Sequence, residues 1–114
     1  MRQKIIYPLS GRGKQIIIRD YENGKFVTWG DTSFNVPDSL ITDILENYFK
    51  NPNMWYPLGA SMTEPPSNGL GRYIQTRYNS LTPRHASAIA AIMVEEKLLK
   101  YRGAKPIELK KMAR

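Results

Sequence analysis

The side chains with the clearest capacity for chemistry are cations near the end of the chain. The stretch VEEKLLKYRGAKPIELKK, residues 94–111, places Lys100, Arg102 and Lys105 around one predicted turn. Clustered cations bind phosphate groups, because they release the counterions that surround a nucleic-acid backbone. The stretch therefore points to an anionic partner.

The net charge of +7 is confined to the same part of the sequence. Residues 1–69 contain seven Lys/Arg and seven Asp/Glu, whereas residues 70–114 contain ten Lys/Arg and three Asp/Glu. Two interpretations compete, a nucleic-acid footprint and a solvated basic surface that aids solubility. An acidic membrane surface is less favoured, because no predicted helix pairs a cationic face with a broad apolar one.

Residues that could support catalysis are few. His85 is the only histidine, and no acid or nucleophile spacing marks it as part of a triad or metal site, so a surface or capping role is favoured. Pro37-Asp38 and Glu108-Leu109-Lys110 echo the PD…ExK pattern of metal-dependent nucleases, but the two pieces are 70 residues apart and Asp38 is typical of a helix start. With no cysteine, thiolate chemistry and cysteine-bound metals are excluded. A non-enzyme without cofactor or metal is therefore expected.

The length of 114 residues predicts one domain with a modest core. No apolar run approaches the roughly 20 residues that span a bilayer, so no membrane association and a cytoplasmic location are expected.

Asn23-Gly24 predicts a β-hairpin in the N-terminal half, between strands over Lys14–Glu22 and Lys25–Trp29. Both central residues of a type I′ turn need positive φ, which asparagine and glycine tolerate. A two-residue turn at this dipeptide sets Glu22 opposite Lys25. We therefore expect a small antiparallel sheet here.

A strand over Lys4–Leu9 is predicted before this hairpin, ended by Gly11-Arg12-Gly13. The backbone amides from Gly11 to Lys14 could cradle a phosphate, but no helix follows, so an ordinary turn is favoured.

Pro37-Asp38-Ser39 predicts the start of a first helix, with an apolar face from Leu40 to Phe49 and an end at Lys50-Asn51-Pro52. A loop of some 17 residues, Asn51–Ser67, follows. Its apolar residues are more typical of an anchor on the core than of a platform for stacking a ligand: Trp55, Tyr56 and Leu58.

Two further helices are predicted in the basic part of the chain. The second runs from Asn68 to Tyr78, with Arg72 and Arg77 off its apolar face. The third begins with Thr82 as N-cap and Pro83 in the first turn, and it reaches Lys97. The side of the third helix that we expect to face outward carries mainly small residues: Arg84, Ser87, Ala88 and Ala91.

The last predicted element is a hairpin around Gly103-Ala104, with glycine first as a type II′ turn requires. In that register Arg102 lies opposite Lys105, a like-charge pair that a bound polyanion would relieve. Pro106 cannot donate to a strand ladder, so its strand must be an edge or end there.

The order of these last elements resembles a winged helix-turn-helix DNA-binding domain. The segments are GLGRYIQTRY, NSLTP, RHASAIAAIMVEEKLL and KYRGAKPIELKK, and the resemblance covers residues 68–111. It implies a recognition helix that places its N-terminal end in the major groove and a basic wing near the DNA backbone. Lys97 departs from the pattern, since many winged helices have glycine there.

The resemblance implies a set of nucleic-acid-binding residues on the two helices and the wing: Arg72, Arg77, Arg84, His85, Ser87, Ala88, Lys100, Arg102 and Lys105. Arg84 and its neighbours would approach base edges, and Arg102 and Lys105 the backbone or minor groove.

The sequence thus predicts an α+β fold, with a small N-terminal antiparallel sheet and core helix (1–50), a long loop (51–67) and a C-terminal winged-helix part (68–114). The predicted function is non-enzymatic binding of duplex DNA, with transcription regulation and a homodimer through the sheet as further hypotheses. The alternative is a protein–protein interaction module, a small accessory or inhibitory protein that uses the same shape for a protein partner.

Overall fold

The computed structural model describes residues 3–103 and 106–112, and it has the mixed α+β class that the sequence predicts. Its elements in chain order are β1 Gln3–Ile6, β2 Ile16–Tyr21, β3 Gly24–Trp29, β4 Thr32–Pro37, α1 Asp38–Asp43 with a π-helical continuation Ile44–Tyr48, β5 Tyr56–Pro57, α2 Leu70–Arg77, α3 His85–Glu95, β6 Leu99–Arg102 and β7 Glu108–Lys111.

Strands β1 to β4 form an antiparallel sheet in chain order. Alternate residues face the core, so Ile16, Ile18, Val27 and Val36 are buried. The small N-terminal sheet is therefore confirmed, and β4 adds a fourth strand to the three that the sequence predicts. The turn into β4 begins at Gly30, whose φ of 61° is easily reached only by glycine.

The β2–β3 hairpin has a different register from the predicted one. Tyr21 pairs with Gly24, and Asp20 pairs with Lys25, so the turn residues are Glu22-Asn23. Gly24 lies within β3, where a Cβ would be 2.8 Å from the Pro37 Cα. Glycine at this position thus permits close approach of neighbouring backbone, and it does not supply the positive φ of a type I′ turn.

Helix α1 starts where Pro37-Asp38 predicts, and its continuation ends with the Phe49 amide donating to the Ile44 carbonyl. Its Asp43 connects α1 to α2. The Asp43 carboxylate accepts hydrogen bonds from the Tyr73 and Tyr78 hydroxyls and from Arg77 Nε, the last at 2.8 Å. Helix α2 lies inside its predicted range and buries Leu70 and Ile74, as its apolar spacing indicates.

Helix α3 is buried on nearly every side, which corrects the prediction of an outward face of small residues. Ala88 and Ala91 are 0% and 3% exposed. The N-terminal sheet covers this side: the Phe34 ring packs edge-on against His85, and Lys25 Nζ lies 2.7 Å from a Glu96 carboxylate oxygen.

Both ends of α3 differ in detail from the prediction. The Thr82 side chain does not cap the helix, which begins at His85 after a tight turn in which the Thr82 carbonyl accepts from the His85 amide. At the other end Lys97 takes φ 64°, and the Lys97 and Leu98 amides donate to the Val94 and Met93 carbonyls. This is a Schellman motif with lysine in the position that glycine usually holds.

Strands β5, β7 and β6 form a second antiparallel sheet in that order, which we call the wing sheet. Arg102 pairs with Glu108, so the predicted pairing of Arg102 with Lys105 is wrong. The ladder begins after Pro106, which cannot donate to it. Ala104 and Lys105, half of the predicted turn and its neighbour, lie outside the described residues.

Candidate nucleic-acid interface

The outward side of the wing sheet gathers most of the cations that the sequence singles out in the last strands. Lys100 on β6 is directly opposite Lys110 on the central strand β7. Tyr56 pairs with Leu109, so Trp55 lies next to Lys110 on the other side of it. We call Trp55, Lys100, Arg102 and Lys110 the basic face.

Trp55 is the centre of the basic face. The Arg102 guanidinium carbon lies 4.2 Å from the indole centroid, and the Lys110 and Lys100 ammonium nitrogens lie at 5.5 and 5.9 Å. These are cation–π distances, and they hold three positive side chains around one half-buried ring. Trp55 is therefore more than the loop anchor that the sequence favours, since it also positions cations.

The two lysines of the basic face have no carboxylate partner among residues 3–103 and 106–112. Among the residues that the structure describes, the ion pairs include Arg102 with Glu108 at 2.9 Å, and none involves Lys100 or Lys110 within 4.0 Å. Glu95 and Glu96, the other acidic residues of the basic half, pair with Lys4 and Lys25 of the N-terminal sheet. The three acidic residues of this half are thus paired elsewhere, and Lys100 and Lys110 form no ion pair with the described residues.

The geometry favours binding of phosphate over stacking of bases. Arg102 covers the Trp55 ring, so a base could stack on that ring face only after the guanidinium moved. Exposed Lys100 and half-buried Lys110 are instead ready to contact anionic oxygens.

The predicted binding residues on α2 lie apart from the wing sheet, on their own helix. Arg77 is exposed but bound to Asp43, and Arg72 donates to the Pro65 carbonyl at 3.3 Å. Both cations are therefore engaged within the chain.

The predicted binding residues at the start of α3 face a cleft beside the N-terminal sheet. Arg84 is exposed, with its guanidinium carbon 5.5 Å from the Trp29 ring centroid. His85 Nδ1 lies 3.0 Å from the Thr82 amide nitrogen, which donates to it. Burial, with the nearby Arg84 charge, lowers the pKa of His85, so the imidazole is neutral at pH 7.

Two of the remaining predicted binding residues, Ser87 and Ala88, lie within α3. Ser87 is half-buried, and Ala88 is fully buried, so Ala88 cannot touch DNA while the sheet covers the helix. Lys105 lies outside the described residues. The predicted set is thus divided between α2, the cleft beside α3 and the wing sheet.

Lys110 and Trp55 are not among the binding residues that the sequence predicts. The signal that could have found Lys110 is Pro106, because a ladder that starts after proline cannot have a two-residue turn at Gly103-Ala104. No comparable signal marks Trp55, whose place depends on pairing between residues 53 positions apart, Tyr56 and Leu109.

Three or more residues that could jointly hold a metal ion do not occur together in the described part of the chain. Within residues 3–103 and 106–112, each helix is too short or too polar to cross a membrane. Comparisons with protein-family models, curated proteins and solved structures gave no match.

Proposed function

We propose that this chain binds duplex DNA through the basic face of the wing sheet, mainly by contacts to phosphate. The observation that carries the proposal is the pairing of Lys100 with Lys110 beside Trp55, without a carboxylate partner in the described structure. Like charges at opposite positions of a ladder destabilise it, and a polyanion across them removes that cost.

The order of elements supports a winged-helix arrangement for the C-terminal part. Helix α2, a short turn, α3 and the β6–β7 hairpin follow each other as in that class, and β5 adds a third strand beside β7. The covering of α3 by the N-terminal sheet is a difference, because a reading helix must enter the major groove.

Because α3 is buried, the geometry favours binding of DNA without sequence specificity. Contacts to phosphate position a protein on DNA, whereas contacts to base edges supply specificity. With Ala88 buried and His85 packed against Phe34, base reading by α3 has little support. A role in transcription regulation would then require another factor to direct the protein to its site, because the protein itself would not read the DNA sequence.

The test is a titration of a labelled duplex of mixed sequence, followed by fluorescence anisotropy at low salt. Lys100→Gln with Lys110→Gln removes two charges from the basic face, and Arg12→Gln with Arg19→Gln removes two exposed charges elsewhere. We expect the first pair to weaken binding about tenfold and the second by less than about threefold.

Two unrelated duplexes should bind with affinities that differ by less than about threefold, because phosphate contacts carry no sequence information. Equal losses in the two double variants would show that only net charge matters, and the basic face would then not be the site. Absence of binding by the wild type at low salt would refute the function.

A second candidate function, self-association or binding of another protein, is favoured by the outer side of the N-terminal sheet. Ile5 pairs with Ile17, and Arg19 pairs with Phe26, so these residues share the face that points away from the core. Ile5 is 48% and Phe26 36% exposed. Sedimentation analysis of wild type and Ile5→Lys tests self-association: a concentration-dependent dimer that the substitution abolishes supports a homodimer, and a monomer throughout refutes the homodimer.

A further inference from the structure

A cleft of about 520 Å³ lies between the N-terminal sheet and the start of α3. Four separate segments line it: residues 13–14, the β3–β4 turn at 29–32, Met62 of the long loop, and Thr82 with Arg84 and His85 before and at the start of α3. The volume is in the range of small-molecule sites, which are commonly formed where elements distant in sequence meet. The cleft has no role in the proposed DNA contact.

Two cations from different elements border this cleft. The aliphatic part of Lys14 packs against Gly30, where a Cβ would be 3.0 Å from Lys14 Cδ. Arg84 is held over the Trp29 ring, with 5.5 Å from its guanidinium carbon to the ring centroid. Neither cation has a carboxylate within 4.0 Å in the described ranges. Both are therefore positioned by packing and form no ion pair with the part of the chain that the structure describes.

The rest of the lining offers groups of other kinds. Trp29 and Met62 supply apolar surface, and Asp31 supplies a carboxylate that makes no ion pair with the described residues. His85 accepts the Thr82 amide at Nδ1, so its Nε2 carries the proton and is a donor.

We propose that this cleft binds a phosphate monoester of mononucleotide size. A phosphate dianion matches the two cations, Lys14 and Arg84. A flat base matches the apolar surface of Trp29 and Met62 once the Arg84 guanidinium turns from the Trp29 ring to the phosphate. Asp31 can accept hydrogen bonds from ribose hydroxyl groups. The Asp31 carboxylate in the same lining disfavours a bare polyanion and favours a ligand that carries hydroxyl donors as well as phosphate.

The experiment uses the chain with Trp55→Phe, in which Trp29 is the remaining tryptophan and reports on the cleft. Adenosine monophosphate is the probe, and adenosine and inorganic phosphate are the comparison ligands. We expect a saturable change of Trp29 fluorescence with adenosine monophosphate below about 1 mM. Each comparison ligand should bind at least about tenfold more weakly, since it lacks the other half of the contacts.

Calorimetry then compares the affinities of variants that keep Trp55 and carry only the substitution under test. Lys14→Gln and Arg84→Gln should each weaken binding of adenosine monophosphate about tenfold. Arg84→Lys should lose less, because it keeps the charge. Arg12→Gln, which changes an exposed neighbour outside the cleft lining, should leave the affinity unchanged. Circular dichroism verifies that each variant is folded.

Three results would overturn the proposal. The first is no saturable fluorescence change up to about 10 mM probe. The second is equal affinity for inorganic phosphate and adenosine monophosphate, which refutes the nucleotide. The third is a loss of DNA affinity in Lys14→Gln with Arg84→Gln as large as that of Lys100→Gln with Lys110→Gln, which assigns the cleft to the DNA surface. Failure of DNA binding alone leaves this test unaffected.

Discussion

Lys100 and Lys110 are directly opposite partners in the β6–β7 ladder, and no ion pair within the described residues satisfies either ammonium group. Trp55 holds both within cation–π distance, at 5.9 and 5.5 Å from its centroid. The repulsion between the two ammonium groups destabilises the ladder. Their favourable contacts with the Trp55 ring offset part of this cost and keep the two charges together.

This relationship predicts opposite changes in stability and binding for Lys110→Glu. The substitution turns a like-charge pair into an opposite-charge pair but loses the Lys110 contact with Trp55, so the free energy of unfolding should rise by no more than a few tenths of a kcal/mol. DNA affinity should fall at least tenfold, since an attractive contact becomes repulsive. Urea unfolding and anisotropy measure the two quantities, and a parallel loss of both would mean that Lys110 is needed for folding.

Asp43 should be a major contributor to stability, because its carboxylate accepts from Asn47 in its own helix region and joins that region to α2 and its end through three partners: Tyr73, Arg77 and Tyr78. Asp43→Asn should lower the free energy of unfolding by about 2–3 kcal/mol. Glu46→Gln, at an exposed position of the same helix region, should change it by less than about 0.5 kcal/mol. Similar small effects of both substitutions would contradict the role of Asp43.

The same carboxylate predicts a specific acid sensitivity. Burial alone would raise the pKa of Asp43, but hydrogen bonds from Tyr78, Asn47, Arg77 and Tyr73 outweigh it and lower the pKa to about 2. A depressed folded pKa contributes stability above the unfolded value of 3.8, and this stability is lost as pH falls toward 2. The loss should be on the order of 2 kcal/mol in the wild type and absent in Asp43→Asn. Urea midpoints at several pH values measure it, and parallel pH profiles would refute it.

Lys97 should be replaceable by glycine with a gain in stability. Its φ of 64° costs a non-glycine residue roughly 1 kcal/mol, and Lys97→Gly should recover about that amount. Lys97→Ala keeps the Cβ that causes the strain, so it should give no such gain. Thermal unfolding compares the three proteins. Equal midpoints for the glycine and alanine variants would contradict a strained positive φ at residue 97.

The parts of the fold that follow from local chemistry could be predicted from the sequence. The starts of α1 and α2 and the presence of an N-terminal hairpin depend on proline, apolar spacing and Asn23-Gly24. The hairpin register could not be predicted, because glycine at position 24 is needed for the close approach of the Pro37 backbone in the neighbouring strand β4. Packing between strands thus outweighs the turn propensity of Asn23-Gly24.

The candidate site was predictable only in its basic charge. The small residues of α3 suit close approach of any partner, and the sequence does not say that the partner is the chain's own sheet, which buries Ala88. Likewise, the pairing of Lys100 with Lys110 depends on the residue at which the β6–β7 ladder begins. Trp55 lies beside this pair because the short strand β5 pairs with β7.

The salt dependence of DNA binding tests the central claim most directly. With about three to four phosphate contacts, the logarithm of the wild-type association constant should fall against the logarithm of salt concentration with a slope near −3. Lys100→Gln with Lys110→Gln should flatten the slope by about 2, one for each lost phosphate contact. The control Arg12→Gln with Arg19→Gln should keep the wild-type slope. A wild-type slope of zero, or an unchanged slope in the Lys100/Lys110 variant, would contradict DNA binding by the basic face.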